Sequence, residues 1–140
     1  MPMKSSSSFR KITPNGTFGT LSKASGHFAE FAGDAADTTI AVAHFDAGTT
    51  FHGVKTIHEA MGAGTGIQVG IAFYDAEDGT DDPDFFSTVA DSAAAGNASW
   101  GDTVVPVTFN VPVKLTVTNT DAVATGRVDV IPEYVYTGGA

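Results

Sequence analysis

Large apolar residues alternate with polar or small ones in two stretches of the chain. Residues 66–74 place four of them on one face of an extended backbone: Ile67, Val69, Ile71 and Phe73. Residues 112–118 do the same with Val113, Leu115 and Val117. A period of two residues is typical of a strand that turns one face to a core. Both stretches are therefore predicted to be half-buried β-strands.

Short β-rich runs separated by turn residues continue this pattern from Asp37 onward. Further strands are predicted at 38–45, 51–59, 85–89, 103–109 and 127–136. Pro106 places its run at a sheet edge or a bulge, and Pro132 predicts a kink in the last strand. The gaps have no helical period, whereas a parallel sheet would need crossover helices. We expect an all-β fold: a jelly-roll-like antiparallel β-sandwich of seven or eight short strands.

Residues 1–23 differ from the remainder in charge. They contain four basic residues and no acidic one, with large apolar residues interspersed among polar ones. One interpretation is a mobile tip followed by an extended basic arm that lies along another surface. The other is a terminus that packs as an ordinary first strand. Both stay open, and we predict an N-terminal arm, 1–23, and a β-sandwich domain, 24–140.

The charge of the chain limits its partners. Its 140 residues include 16 acidic and 7 basic side chains, for a formal net charge of -9. A protein that binds duplex nucleic acid neutralises phosphates with Lys and Arg, so no nucleic-acid partner is expected. The chain has no cysteine, which excludes disulfides and thiolate metal sites. It also lacks an apolar run near the ~20 residues of a membrane helix and the apolar stretch of a secretory signal, so we expect a soluble protein without membrane contact.

The histidines do not form a metal-binding motif. His58 and Glu59 begin like the zinc-protease helix motif, but Gly62 stands where the second histidine is required. Cupin sites resemble a His-x-His pair followed by a glutamate, and no such pair occurs here. His52 and His58 are an even number of residues apart, so one strand could present both on one face. A third protein ligand is missing, and we predict no metal and no cofactor.

The acidic segment 75–84 suggests a calcium loop. An EF-hand loop needs glycine at its sixth position, and counting back five residues from Gly79 reaches Tyr74 in place of a carboxylate. An irregular calcium site stays open beside the simpler interpretation, a solvated acidic loop.

Catalytic motifs are missing from the sequence. It contains no Gly-x-Ser-x-Gly elbow and no phosphate-binding Gly-x-x-x-x-Gly-Lys loop. Gly62, Gly64 and Gly66 precede a predicted strand, whereas a phosphate cradle needs a helix N-terminus. We predict no catalytic residues and no enzymatic activity.

Three segments, taken in order, resemble a known family. They are AGTTF at 47–51, EAMGAGTGIQVG at 59–70 and VTNTDAVATGRVDV at 117–130. The order resembles that of small virion proteins of tailed bacteriophages. In particular it resembles the jelly-roll cementing, or decoration, proteins on the outside of icosahedral heads, among them that of the short-tailed phage of Bordetella. The resemblance covers roughly residues 37–136.

The resemblance implies a structural virion protein of the capsid exterior, assembled in the host cytoplasm. Such a protein binds the major capsid protein, cements neighbouring subunits and stabilises the shell without an active site. A homodimer on the capsid lattice fits the commonest closed symmetry. The arm would attach by strand addition and charge complementarity. The capsid contacts expected on it are Lys4, Phe9, Arg10, Lys11 and Phe18.

Two other functions remain as alternatives. A tail or fibre module that binds host glycans would present a concave aromatic groove, for which Trp100, Tyr74, Tyr134 and Tyr136 are available, although aromatic residues in a small β protein are mostly core. A cupin-like metal enzyme would contain bound metal.

Overall fold

Eleven β-strands account for most of this computed structural model, which describes residues 3–9, 21–23, 26–99 and 106–136. They are β1 (Met3–Ser5), β2 (Leu21–Lys23), β3 (His27–Asp34), β4 (Thr39–Phe45), β5 (Thr49–His58), β6 (Gly66–Phe73), β7 (Asp82–Val89), β8 (Gly96–Ser99), β9 (Val107–Phe109), β10 (Val113–Thr120) and β11 (Ala124–Tyr136). The described residues contain no helix, and so none with the length and hydrophobicity to cross a lipid bilayer. The all-β prediction is confirmed.

The strands form two sheets with the connectivity of a jelly roll. The first sheet has the order β1-β4-β10-β6-β7. In the second sheet, β11 and β5 are central, β2 and β3 lie along β11, and β8 and β9 lie along β5. The long pairs β3–β11, β4–β10 and β6–β7 are antiparallel, as is β5 with β8 and β9. β3 thus pairs with β11, β4 with β10, β5 with β8 and β9, and β6 with β7, so each pair lies nearer the middle of the chain than the one before. When β8 and β9 are counted as one interrupted strand, this is the pairing of an eight-stranded jelly roll.

Several elements differ from the sequence-based expectation. β3 was not predicted, because its inward positions include His27 and Ala29, which do not mark a strand by hydrophobicity. β8 lies in a segment expected to be a loose connection, and β1 pairs with β4 in parallel. Pro132 lies within β11 opposite Val54, and the register shift comes directly after it, between Glu133 and Tyr134.

The core fills the space between the sheets and is rich in aromatic rings. Phe45 lies edge-on to Phe51 and Tyr134, with centroid separations of 4.8 and 5.0 Å, and Phe51 lies 5.2 Å from Phe86. All four side chains are fully buried. Such pairs stabilise by about 0.5–1.5 kcal/mol each beyond the burial of their area. The packing joins β4 and β7 of the first sheet to β5 and β11 of the second.

Gly70 allows one strand to pass close to another. A Cβ atom added to it would stand 2.1 Å from the carbonyl oxygen of Asp82 and 2.4 Å from the carbonyl carbon of Pro83. The β6–β7 register shifts at the same place, between Val69 and Ile71. Only glycine, which has no side chain, fits where two backbones approach this closely.

Asn119, a fully buried residue near the end of β10, ties two loops together. Its Oδ1 accepts a hydrogen bond from the Thr38 N–H at 2.9 Å. Its Nδ2 donates to the carbonyl oxygens of Asp34 at 3.1 Å and Ala35 at 2.9 Å, and more weakly to that of Ala122 at 3.3 Å. The amide thereby fixes the β3–β4 connection against the β10–β11 turn.

Candidate partner-binding surface

The N-terminal residues 3–9 lie on the body of the chain, at one open side of the sandwich. β1 extends the first sheet beyond β4, with Lys4 opposite Ile40 and Ser5 opposite Ala41. All three β1 residues are exposed. The chain then crosses toward β3, the edge strand of the second sheet, so this segment connects the two sheet edges.

Ser8 makes the crossing contact and is buried. Its hydroxyl oxygen accepts the Phe28 N–H at 2.9 Å, and its proton is shared between the carbonyl oxygens of Phe28 and Val42, each at 3.2 Å. His27 Nδ1 lies 2.9 Å from the same Val42 oxygen and must carry the proton, because a carbonyl oxygen only accepts. One hydroxyl thus bonds β4 of the first sheet and β3 of the second.

An ion pair crosses the same opening. Lys4 Nζ donates to Asp34 Oδ1 at 2.5 Å, which joins β1 to the end of β3. The hydrogen bond from the Lys4 ammonium, and then that from the Ala32 N–H, hold the pKa of the Asp34 carboxyl below its ordinary 3.8 against the opposing effect of burial. The Lys4 side chain stays half-exposed, so it remains accessible to a partner.

The five predicted capsid contacts are only partly described. Lys4 occupies the position given above. Phe9 is half-buried, and its N–H donates to the Ser6 carbonyl oxygen at 3.0 Å. Arg10, Lys11 and Phe18 lie outside the described residues.

A cleft of about 230 Å³ opens between β1 and β3. Phe28 and Ile40 line it together with Lys4, the serines that follow it and Glu30. Arg127 covers the Phe28 ring, with its guanidinium carbon 4.1 Å from the ring centroid, and is held by Asp129 at 2.9 Å. The cleft therefore offers both apolar and hydrogen-bonding surface.

A second polar cluster lies on the outer face of the first sheet. Asp46 Oδ1 is 2.9 Å from His44 Nε2, and His44 Nδ1 is 2.5 Å from the Tyr74 hydroxyl. Lys114 Nζ lies 4.8 Å from the centroid of the Tyr74 ring. The hydrogen-bonded series of Asp46, His44 and Tyr74 resembles a relay that activates a nucleophile. However, burial, and then the charge of Asp46, raise the pKa of the Tyr74 hydroxyl. A raised pKa disfavours the phenolate that attack would require.

The expectation that His52 and His58 share a face is wrong. His52 is exposed and His58 is buried, with His58 Nδ1 donating to the Glu59 carbonyl oxygen at 2.9 Å. The β5–β11 register shifts between Phe51 and Gly53, and one extra residue reverses the faces beyond it. Within the described ranges, no three His, Asp or Glu side chains are grouped closely enough to hold a metal ion.

Carboxylates of the acidic loop bond backbone groups that are close to them in sequence, one at the end of β6 and one in the loop itself. Asp81 accepts the Phe73 N–H at 2.9 Å, and Asp75 accepts the Glu77 N–H at 3.0 Å. Interaction with the neighbouring Asp84 carboxyl, and then burial, raises the pKa of Asp82. These contacts order the loop locally.

The aromatic residues considered for a glycan groove do not all lie at the surface. Tyr134 is fully buried in the core, Tyr74 is exposed and Tyr136 is half-buried. Trp100 lies outside the described residues.

Sequence reasoning did not single out Ser8, Asp34 or Glu30. Serine and acidic residues in a polar stretch are typical of any solvent-exposed surface. No sequence motif links residues that lie this far apart in the chain. For His44 and Asp46 a weak signal was present, since two positions apart they share a strand face.

Comparison with solved structures identifies proteins with the same fold. A chain of the capsid of Ralstonia phage GP4 superimposes with a TM-score of 0.73 at 13% identity, over 96% of this chain and 97% of that one. A chain of the cyanophage Pam1 capsid asymmetric unit gives 0.65 at 19% identity, over 97% and 99%. A chain of the acidic stable capsid of Helicobacter pylori bacteriophage KHP30 gives 0.60 at 14% identity, over 87% and 92%. No protein-family model and no curated protein matches the sequence. At these identities the likeness shows a shared fold.

Proposed function

We propose that this chain is a structural virion protein that binds the outside of a phage head and cements neighbouring major capsid protein subunits. The observation that carries the proposal is the superposition of nearly the whole chain on nearly whole chains from three phage capsids. Because both members of each pair are covered almost completely, the likeness extends to the size of the protein as well as to its sandwich.

The physical properties of the chain support this role. A cement protein needs a stiff body, and the fully buried aromatic core that joins the two sheets supplies one. Each contact with the shell can be weak, because many copies on a symmetric lattice act together. The net charge of -9 opposes self-association of the free protein and favours a basic partner surface.

The N-terminal segment is the proposed attachment region. Lys4 is half-exposed at the open side of the sandwich, and Phe9, Arg10, Lys11 and Phe18 are proposed to contact the capsid with it. A homodimer on the lattice is part of the proposal, as the simplest closed assembly.

The proposed function is tested by adding purified protein to phage heads from which this protein has first been stripped. Cryo-electron microscopy is expected to show density for the sandwich on the outer surface between capsid subunits. The decorated heads should also survive heating to a higher temperature than bare heads. Density at the tail, or no gain in heat resistance, would contradict the cementing role.

Point variants test the attachment region better than truncation. Deleting residues 1–23 would also remove Ser8 and β2, which contribute to the body. We expect Arg10→Ala with Lys11→Ala to lower head occupancy, whereas Lys55→Ala, an exposed lysine of the second sheet, serves as the matched control. Equal occupancy for the double variant and Lys55→Ala would show that the arm is not part of the interface.

One observation favours a glycan-binding tail module as the second candidate. Tyr74 is 48% exposed and is flanked by the hydrogen-bonding groups of His44, a combination suited to sugar rings. This candidate expects binding to host glycans that Tyr74→Ala abolishes, and density at the tail in the same images.

A further inference from the structure

The backbone of Glu30 points to the free edge of β3. Glu30 lies opposite Arg127 in the β3–β11 ladder. Arg127, however, directs its own N–H to Glu59 Oε1 at 2.8 Å and accepts the Glu59 N–H on its carbonyl oxygen at 3.0 Å. Since the two backbone groups of an extended residue point the same way, Arg127 and Glu30 form a non-hydrogen-bonded pair. The N–H and C=O of Glu30 therefore point away from β11.

The positions on either side of Glu30 along this edge are already occupied. Both backbone groups of Phe28 are bonded by the Ser8 hydroxyl. The Ala32 N–H is bonded by Asp34 Oδ2 at 3.1 Å, and Asp34 is held in turn by Lys4. Among the described residues, Glu30 is thus the position in the stretch 28–32 at which neither outward backbone group is bonded.

This open position lies in the wall of the β1–β3 cleft. A cavity of about 150 Å³ is large enough to bind benzene, so the ≈ 230 Å³ here accommodates one large side chain. The Glu30 carboxylate is exposed, and no side chain among the described residues forms a contact ion pair with it: Arg127 feels its charge but directs its hydrogen bonds to Asp129. The cleft therefore combines a backbone donor and acceptor, an apolar ring and the Glu30 carboxylate, while the positive charge of Lys4 in the same lining is balanced by Asp34.

We propose that the β1–β3 cleft binds an extended, basic segment of the major capsid protein, which pairs with the backbone of Glu30 and places a Lys or Arg side chain against its carboxylate and the Phe28 ring. This inference rests on the proposed function and names the site through which it acts. A partner strand that adds to an exposed edge gains main-chain hydrogen bonds, while the neighbouring pocket selects its side chain. The caps at Ser8 and Asp34 limit the pairing to a short stretch, which suits a contact repeated over a lattice.

Two variants of Glu30 test the proposal. Glu30→Lys reverses the charge, and Glu30→Pro removes an N–H that the sheet does not use, a substitution that edge strands tolerate. Glu77→Lys is the matched control, since it makes the same charge change in the exposed β6–β7 loop. Head occupancy is measured against protein concentration on stripped heads, with circular dichroism as the check that each variant is folded. Because a hydrogen bond to a charged group is lost, Glu30→Lys should need a concentration ~10-fold higher or more for half-occupancy, with Glu77→Lys unchanged.

The outcomes separate this inference from the proposed function. If wild-type protein decorates heads and Glu30→Lys matches Glu77→Lys, the cleft assignment is wrong while the cementing role stands. If wild-type protein does not bind heads, the proposed function fails and the inference fails with it. If Glu30→Lys abolishes self-association in ultracentrifugation but leaves head binding unchanged, the cleft belongs to a second copy of the chain, which also overturns the proposal. Should Glu30→Pro not fold, Glu30→Lys alone decides.

Discussion

Replacing Asn119 by alanine should destabilise the whole sandwich, because its amide joins two loops that are distant in sequence. The substitution removes three good hydrogen bonds, to the Thr38 N–H and to the carbonyl oxygens of Asp34 and Ala35. At about 1 kcal/mol net for each buried bond, the loss is about 3 kcal/mol. For a domain of this size such a loss lowers the melting temperature by about 10 °C.

Urea unfolding followed by circular dichroism measures the effect as a lower midpoint at an unchanged slope. Asn97→Ala removes the same side chain at an exposed position of β8 and should change stability by less than about 0.5 kcal/mol. Asn119→Asp keeps an acceptor for Thr38 but loses both donated bonds, so most of the loss should persist. If Asn119→Ala unfolds at the same midpoint as Asn97→Ala, the loop-joining role of the amide is refuted.

Two further predictions concern backbone packing and pH. Gly70→Ala should destabilise by about 2 kcal/mol or more, since its methyl group would overlap the backbone of Asp82; a calorimetric melting temperature equal to wild type would contradict the close approach of β7. Lys4→Met should lower stability at pH 7, by at most ~1 kcal/mol because the pair is partly exposed, and should have no effect at a pH well below the lowered pKa of Asp34. The sign follows because the pKa of Asp34 is lowered in the folded state: the ion pair stabilises above the unfolded-state pKa, and this stabilisation is lost as the pH falls through the folded-state value. The urea midpoints of wild type and Lys4→Met, measured between pH 2 and 7, report this loss of stabilisation. A difference between the two proteins that stays constant over this range would refute the prediction.

The inward faces of β6 and β10 could be predicted from the sequence, because side-chain direction follows a period of two along a strand without an inserted residue. Ile67, Val69 and Ile71 are buried as expected, and so are Val113, Leu115 and Val117. The all-β class followed equally from the turn residues and the missing helical period. The sequence also indicated Lys4 and Phe9 as surface candidates, and whether they touch a capsid stays a prediction.

What the tertiary structure alone decided is which distant residues meet. Alternation gives the face of a strand but neither its partner nor its register, so β3 and the parallel position of β1 could not be deduced. The cleft depends on contacts such as Ser8 with Phe28 and Lys4 with Asp34, which span 20 and 30 residues of chain. Glu30 is open only because the register turns its backbone outward, and register is a property of paired strands that no single segment contains.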